Sequence, residues 1–201
     1  MFDGALPAYV NTRSIRVAGG LGTIARIVAD GAEIYAQRLS VREGLNRIER
    51  YYKPYHHALR GLVEDTQRRF GLAVVIDCHS MPSSRITREG RRRPDFVLGD
   101  RYGTSCASIV TDVAQETLQR LGYVVARNKP YAGGYITEAY GATHDGRHAL
   151  QIEINRALYM DEVRYTRSSG FAWLSADIAQ LCRRLVEIAP ETLMARRAAA
   201  E

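Results

Sequence analysis

The sequence predicts a single α/β domain in which helices flank a largely parallel or mixed sheet. Three observations carry that reading. The run LAVVID, residues 72–77, is continuously apolar and lies between Gly71 and a polar cluster, the pattern of a strand covered on both faces and hence of a central strand. Beyond it, strand-type and helix-type periodicities alternate to the end of the chain. With 46% hydrophobic and 25% charged residues in 201, and with no repeat or linker, the composition is that of one ordinary globular domain.

In chain order, the glycine-rich stretch 19–23 (GGLGT) lacks the Gly-Lys-Ser/Thr ending of a phosphate-binding loop and no helical pattern opens on it, so it is read as a turn. Ser40 followed by Glu43 makes a capping box, after which Leu45, Ile48, Tyr52, Tyr55, Leu59, Leu62 and Val63 recur at helical spacing up to Phe70. Pro54 should kink or split this helix near Tyr52, and Gly71 should end it. After the 72–77 strand come a strand at 95–98, a helix at 104–121 and a strand at 123–126. A final helix spans 175–188, with Pro190 just past it and a frayed Arg-Ala tail.

Charge and cysteine usage narrow the function classes. The net charge of +6 and pI near 9.4 admit nucleic-acid binding, but the basic residues neither line one helix nor alternate with exposed aromatics. Five arginines, Arg85, Arg88, Arg91, Arg92 and Arg93, crowd the segment 83–95, a solvated loop in which one or two can serve an anionic substrate. Three scattered cysteines, Cys78, Cys106 and Cys182, make neither a disulfide framework nor a Cys-x-x-Cys metal site. With no leader pattern and no apolar run of spanning length, a cytoplasmic location is expected.

The densest chemistry lies in HALQIEINRALYMDE, residues 148–162. On a strand, Gln151, Glu153 and Asn155 share one face while Leu150, Ile152 and Ile154 share the other. Periodicity alone leaves two readings open: the polar face is the floor of a site, or the strand is an edge whose second face meets water. Ligands in open α/β sheets sit at the carboxyl ends of central strands, which here is DCHSMPS, residues 77–83. Asp77 and His79 are two apart and share a face, as a metal or substrate ligand with an orienting carboxylate would. A nucleophilic Cys78 or Ser80 beside His79 is the rival. Adjacent strand residues point oppositely, and no Gly-x-Ser-x-Gly elbow is present.

Together DCHSMPS, RPDFVLGDRYGTSC, NKPYAGGYIT and HALQIEINRALYMDE, preceded in the chain by YYKPYHHAL, resemble the N-formylglutamate amidohydrolase family from Met1 to about Phe171. The resemblance implies a three-layer α/β/α sandwich similar to the zinc carboxypeptidases, and zinc-dependent hydrolysis of N-formylglutamate to formate and glutamate, a step in histidine degradation. It implies His79 as a zinc ligand and Glu153 as the carboxylate that activates water, with Asp77 and Gln151 supporting them. Arg156 and Asn155, in the family's Glu-x-Asn-Arg pattern, suit substrate carboxylates or an oxyanion; Asn128, Tyr131, Gly133, Gly134 and Tyr135 form a loop over the site.

One departure stands against this agreement. The family begins with a segment carrying a His-Ser-Gly motif and an acidic residue, which by analogy supply two further zinc ligands, and this chain starts after both. The expectation is therefore one amidohydrolase domain over residues 1–201, N-terminally truncated relative to the family, with an incomplete zinc set. His56 reads as a buried packing residue, His144 as a loop residue, and His148 as a residue able to face the site. A small anionic N-acyl amino acid is the expected substrate, with neither nucleic acid nor membrane as partner. The alternative is a catalytically silent relative that binds an acidic small molecule or a partner chain; a basic nucleic-acid binder ranks third.

Overall fold

The computed structural model describes residues 2–28, 31–83 and 94–194, and the chain forms two compact units, Met1–Leu59 and Arg60–Glu201. In the first, the strand β1 (Phe2–Asp3), the short helix α1 (Ile15–Ala18) and the strand β2 (Leu39–Ser40) precede the helix α2 (Val41–Arg47), with β1 and β2 paired in parallel. Residues 19 and 20 form a turn, with Gly20 at φ +80°, and Leu21 then pairs with Ala25 in an isolated bridge. Ser40 caps α2, its Oγ accepting the N–H of Glu43 at 3.1 Å.

The expected break at Pro54 takes a gentler form. A π-helical turn, Ile48–Tyr52, joins α2 to the helix α3 (Lys53–Phe70), so the helix runs on past the proline. Pro54 is the second residue of α3, where the i→i−4 bond it cannot make is absorbed by the wider turn before it. Gly71, at φ +78°, ends α3 with its N–H bonded to the carbonyl of Gln67 at 2.7 Å. His56 is half-buried rather than buried, its ring 4.3 Å from that of Tyr52 and 5.1 Å from that of Tyr55.

The second unit holds the sheet. Its elements are the strands β3 (Ala73–Met81) and β4 (Phe96–Gly99), the helix α4 (Ser108–Arg120), the strand β5 (Val125–Arg127) and the helix α5 (Tyr135–Tyr140). The strand β6 (Arg147–Asn155), the hairpin of β7 (Met160–Asp161) with β8 (Thr166–Arg167), and the helix α6 (Gly170–Val186) follow. The strand order is β3-β6-β4-β5, with β3 parallel to β6, β4 parallel to β5, and β4 antiparallel to β6. The sheet is therefore mixed.

The structure departs from the sequence pattern in three places. Among the described residues β3 is an edge strand, and β6 is central, paired on both sides. An apolar run reports how the faces of a strand are covered, not how its sides are paired, and Val74 and Ile76 of β3 do pack on the core. β3 also runs on to Met81, because the register with β6 continues through His79↔Glu153 to Met81↔Asn155. Helix α6 starts five residues earlier than the 175–188 pattern gives, since Leu174 already buries on the core side.

The faces of β6 have opposite chemistry. Leu150 and Ile152, with Phe96 and Leu98 of β4, meet Val110, Ala114 and Leu118 of α4 and Leu174 and Leu181 of α6. Each large apolar side chain fully buried there contributes about 1.5–3 kcal/mol. His148 lies on this side as well, which overturns the expectation that it faces the site. It is buried, its Nδ1 accepts the N–H of Ala107 at 3.1 Å, and its Nε2 therefore carries the proton donated to the carbonyl of Leu193 at 2.7 Å. The other face carries Gln151 and Glu153, and α5 packs on that side against β3 and β6. No helix among the described residues is long and apolar enough to cross a membrane.

Close backbone approach at Gly99 positions the loop that leads into α5. A Cβ there would stand 2.6 Å from the nitrogen of Gly133 and 2.8 Å from the carbonyl carbon of Ala132, and neither atom can swing aside. Gly61, by contrast, lies within α3 with nothing within 4 Å of a Cβ. Gly99→Ala is expected to destabilise the chain by about 1–3 kcal/mol, and Gly61→Ala to stabilise it by about 0.4–1 kcal/mol. Urea unfolding midpoints moving in opposite directions check the pair.

Candidate active site

The parallel pairing of β3 with β6 brings two distant motifs side by side. Asp77 pairs with Gln151 and His79 with Glu153, so the two-residue alternation of each strand sets four polar side chains on one face. Glu153 is only 7% exposed and Gln151 only 4%. A buried carboxylate on a strand paired from both sides excludes the edge-strand reading, because no water-facing side is left to explain it.

A short relay fixes Glu153. The N–H of Gly134 donates to Gln151 Oε1 at 2.7 Å, and Gln151 Nε2 donates to Glu153 Oε1 at 2.9 Å. The His79 ring lies between two carboxylates, with Nε2 3.0 Å from Asp77 Oδ2 and Nδ1 3.9 Å from Glu153 Oε1. Its side chain is 45% exposed, which puts the imidazole at the open side of the cluster. Burial pushes the Glu153 carboxyl above the usual glutamate range; the charge of Asp77 adds to this, while His79, Arg156 and the Gln151 amide oppose it. The outcome is a carboxylate more basic than an exposed one, held by an amide and facing an imidazole. That arrangement is suited to taking a proton from water.

The remaining expected residues divide by what they touch. Arg156, at the start of the turn after β6, donates from Nε to Ser80 Oγ at 3.3 Å and places Nη1 3.8 Å from Glu162 Oε2. Asn155 uses both amide atoms within the chain: Oδ1 accepts the N–H of Ala157 at 3.1 Å, and Nδ2 donates to the carbonyl of Pro94 at 3.3 Å. Asn128, at φ +58°, likewise takes the N–H groups of Asp100 and Tyr102 on Oδ1 at 3.2 and 3.3 Å, and donates to Asp100 Oδ1 at 2.8 Å. Both asparagines shape turns. The loop from Asn128 passes a cis Lys129–Pro130 bond and half-buried Tyr131, and reaches Gln151 through Gly134. Gly133 there has φ +116°, and a Cβ would lie 2.5 Å from Thr137 Oγ1. Tyr135 opens α5 and is half-exposed.

Arg85, Arg88, Arg91, Arg92 and Arg93 lie outside the described residues, but both flanks of their segment are placed. The Ser83 N–H donates to Glu162 Oε1 at 2.9 Å, and Asp95 accepts the N–H of Asn155 on its carbonyl at 2.9 Å. Glu162 was not among the expected site residues, although it closes the motif that contains Glu153. The one signal in the sequence is its spacing from Arg156. Cys78 points away from His79, as alternation requires.

The raised Glu153 carboxyl generates a stability prediction. A folded-state pKa above the unfolded value of about 4.3 means that ionising Glu153 costs folding free energy. Its contribution is fully present below the unfolded pKa and is lost as pH rises through the folded pKa. Glu153→Gln keeps the acceptor for Gln151 and removes the charge, so it should raise Tm at pH 8 and leave it nearly unchanged at pH 4. Thermal melts at the two values check this, and equal shifts at both would remove it.

Comparison with known proteins agrees with the geometry. Residues 4–160 match the model of the N-formylglutamate amidohydrolase family. A protein of Pseudomonas aeruginosa named N-formylglutamate deformylase is 30% identical over 169 residues, 83% of this chain and 61% of that protein. One of the same name from Pseudomonas putida is 31% identical over 136 residues, 66% and 51% of the two chains. This chain thus spans between half and two-thirds of the length of those relatives. The crystal structure of an N-formylglutamate amidohydrolase from Ralstonia eutropha JMP134 superposes with a TM-score of 0.84 at 38% identity, covering 96% of this chain and 68% of that one. A gene product of Agrobacterium tumefaciens, 20% identical with a TM-score of 0.57, covers 81% and 62% and shares the fold. With the match running through β3, β4, β5 and β6 and through both motifs of the site, the chain belongs to the N-formylglutamate amidohydrolase family.

Proposed function

We infer that this chain carries the general base of an amidohydrolase that cleaves N-formylglutamate, or a similar N-acyl acidic amino acid, to a carboxylic acid and the free amino acid. The observation that carries the inference is the register pair His79↔Glu153, which sets a buried carboxylate of raised pKa against an imidazole at the ends of two parallel strands. Zinc is the cofactor that the family resemblance implies, and His79 is the ligand proposed from this chain. Among the described residues no three or more His, Cys, Asp and Glu side chains are grouped to hold a metal ion. The described donors therefore do not fit a zinc centre by themselves.

The chemistry assigned to these residues is acid–base work and orientation. Glu153 accepts a proton from the water whose oxygen attacks the formyl carbon. After the carbon–nitrogen bond breaks, the same carboxyl returns the proton to the leaving amine, giving formate and glutamate. Gln151 keeps Glu153 Oε1 in one place through both transfers. Arg156, whose charge is felt at Glu153, is proposed to meet a substrate carboxylate, and Tyr131, Gly134 and Tyr135 to close the side of the site next to α5. A cytoplasmic setting and a role in histidine degradation fit this substrate and the free thiols of Cys78, Cys106 and Cys182.

Formate release from N-formylglutamate tests the inference directly. Glu153→Gln should lower kcat by about 10²–10⁴-fold, since an amide of the same shape cannot accept the proton. Turnover within a few-fold of the parent would refute the base assignment, and binding of N-formylglutamate without any formate release would favour a catalytically silent relative. Arg156→Met should lower kcat/KM for N-formylglutamate by at least roughly thirtyfold, and by less for a neutral N-formyl amino acid. Arg91→Met should stay near the parent. Equal small effects at Arg156 and Arg91 would move anion recognition elsewhere.

A further inference from the structure

Glu162 touches two groups that flank the site. Its Oε1 accepts the backbone N–H of Ser83 at 2.9 Å, and its Oε2 lies 3.8 Å from Nη1 of Arg156. Arg156 is also held at Nε by the Ser80 hydroxyl at 3.3 Å. Ser80 is the next-to-last residue of β3 and Ser83 lies two residues past its end, while Arg156 follows directly on β6. Because the strands are parallel and end together at Met81↔Asn155, one carboxylate can bridge the chain leaving β3 and the guanidinium leaving β6.

The chemistry of that bridge is specific. The Glu162 side chain is 25% exposed and that of Arg156 35%, so the pair is partly shielded from water. An arginine side chain has several rotatable bonds, and a hydrogen bond at Nε together with an ion pair at Nη1 narrows the directions its planar fork can take. A neutral acceptor at position 162 could still take the Ser83 N–H but would not attract the guanidinium. We propose that Glu162 is the positioning residue of Arg156 and thereby sets the preference of the site for N-acyl amino acids with an acidic side chain, an inference that rests on the amidohydrolase reading given above.

The test is a double-mutant cycle on the full chain, with kcat/KM measured for N-formylglutamate and N-formylmethionine in the parent, Glu162→Gln, Arg156→Met and the double variant. Glu162→Gln should lower the glutamate-over-methionine ratio about fivefold or more, chiefly through KM, and the double variant should match Arg156→Met within about twofold, as coupled residues do. Equal losses on both substrates, or losses that multiply in the double variant, would overturn the proposal. A second measurement does not depend on turnover. In a proton–nitrogen NMR spectrum, the Arg156 Nε–H signal, identified by its loss in Arg156→Met, should shift or broaden in Glu162→Gln while the Gln151 side-chain amide stays in place. If the parent releases formate from neither substrate, the amidohydrolase reading fails by itself, and the spectrum decides the role of Glu162: an unmoved Arg156 signal overturns it.

Discussion

The carboxylate of Glu153, buried in a strand paired on both sides, is the constraint from which the rest of the site follows. An ionised carboxylate removed from water is costly unless neighbouring donors and positive charge offset the loss. Gln151 supplies the donor, but an amide has its own oxygen to satisfy, and the N–H of Gly134 does that at 2.7 Å. That bond needs the Ala132–Gly134 backbone to pass close over β4, which Gly99 allows by having no side chain. A charge on β6 therefore dictates a glycine on β4 and the path of the loop before α5. The compensation is incomplete, as the raised Glu153 carboxyl shows, and the remainder is what suits it to the base role proposed for it.

Much of this was legible in the sequence because strands have a period of two. Alternation alone assigned Gln151, Glu153 and Asn155 to one face of β6 and put Asp77 with His79, and both assignments hold in the sheet. What alternation cannot give is which strands are neighbours. The apolar run at 72–77 has the texture of a central strand, yet side pairing is a long-range property, and β3 is an edge while the half-polar β6 is central. His148 shows the same limit from another side. Its position implies the core face by parity, but a histidine next to a functional strand invites a functional reading, and only the Ala107 and Leu193 contacts reveal a bridge between backbone groups.

The asparagines were legible as motif members and not as contacts. Asn128 and Asn155 sit beside the site in sequence and in space, but their amides bind backbone groups of Asp100, Tyr102, Ala157 and Pro94. Asn tolerates positive φ and mimics a backbone turn, so it is the residue a sharp reversal calls for. Asn128, at φ +58°, meets that need together with Arg101 and Tyr102, which also have positive φ in the turn it clips. Motif membership thus marks residues that build the frame around the site, and no spacing rule encodes the partners they take.

Register ties the frame to the chemistry. A slip of β3 by one residue against β6 would set Cys78 or Ser80 level with Glu153 and turn His79 to the other face. Such a slip is opposed from two directions. On the apolar side, Val74 and Ile76 would lose their places against the core that holds Leu150 and Ile152. Beyond the strand ends, Glu162 grips Ser83 while Arg156 reaches Ser80, so the chain leaving β3 is fixed to the chain leaving β6. The core contacts set which residues can pair, and the polar contacts at the carboxyl ends hold the last pairs, those that carry His79 and Glu153, in line.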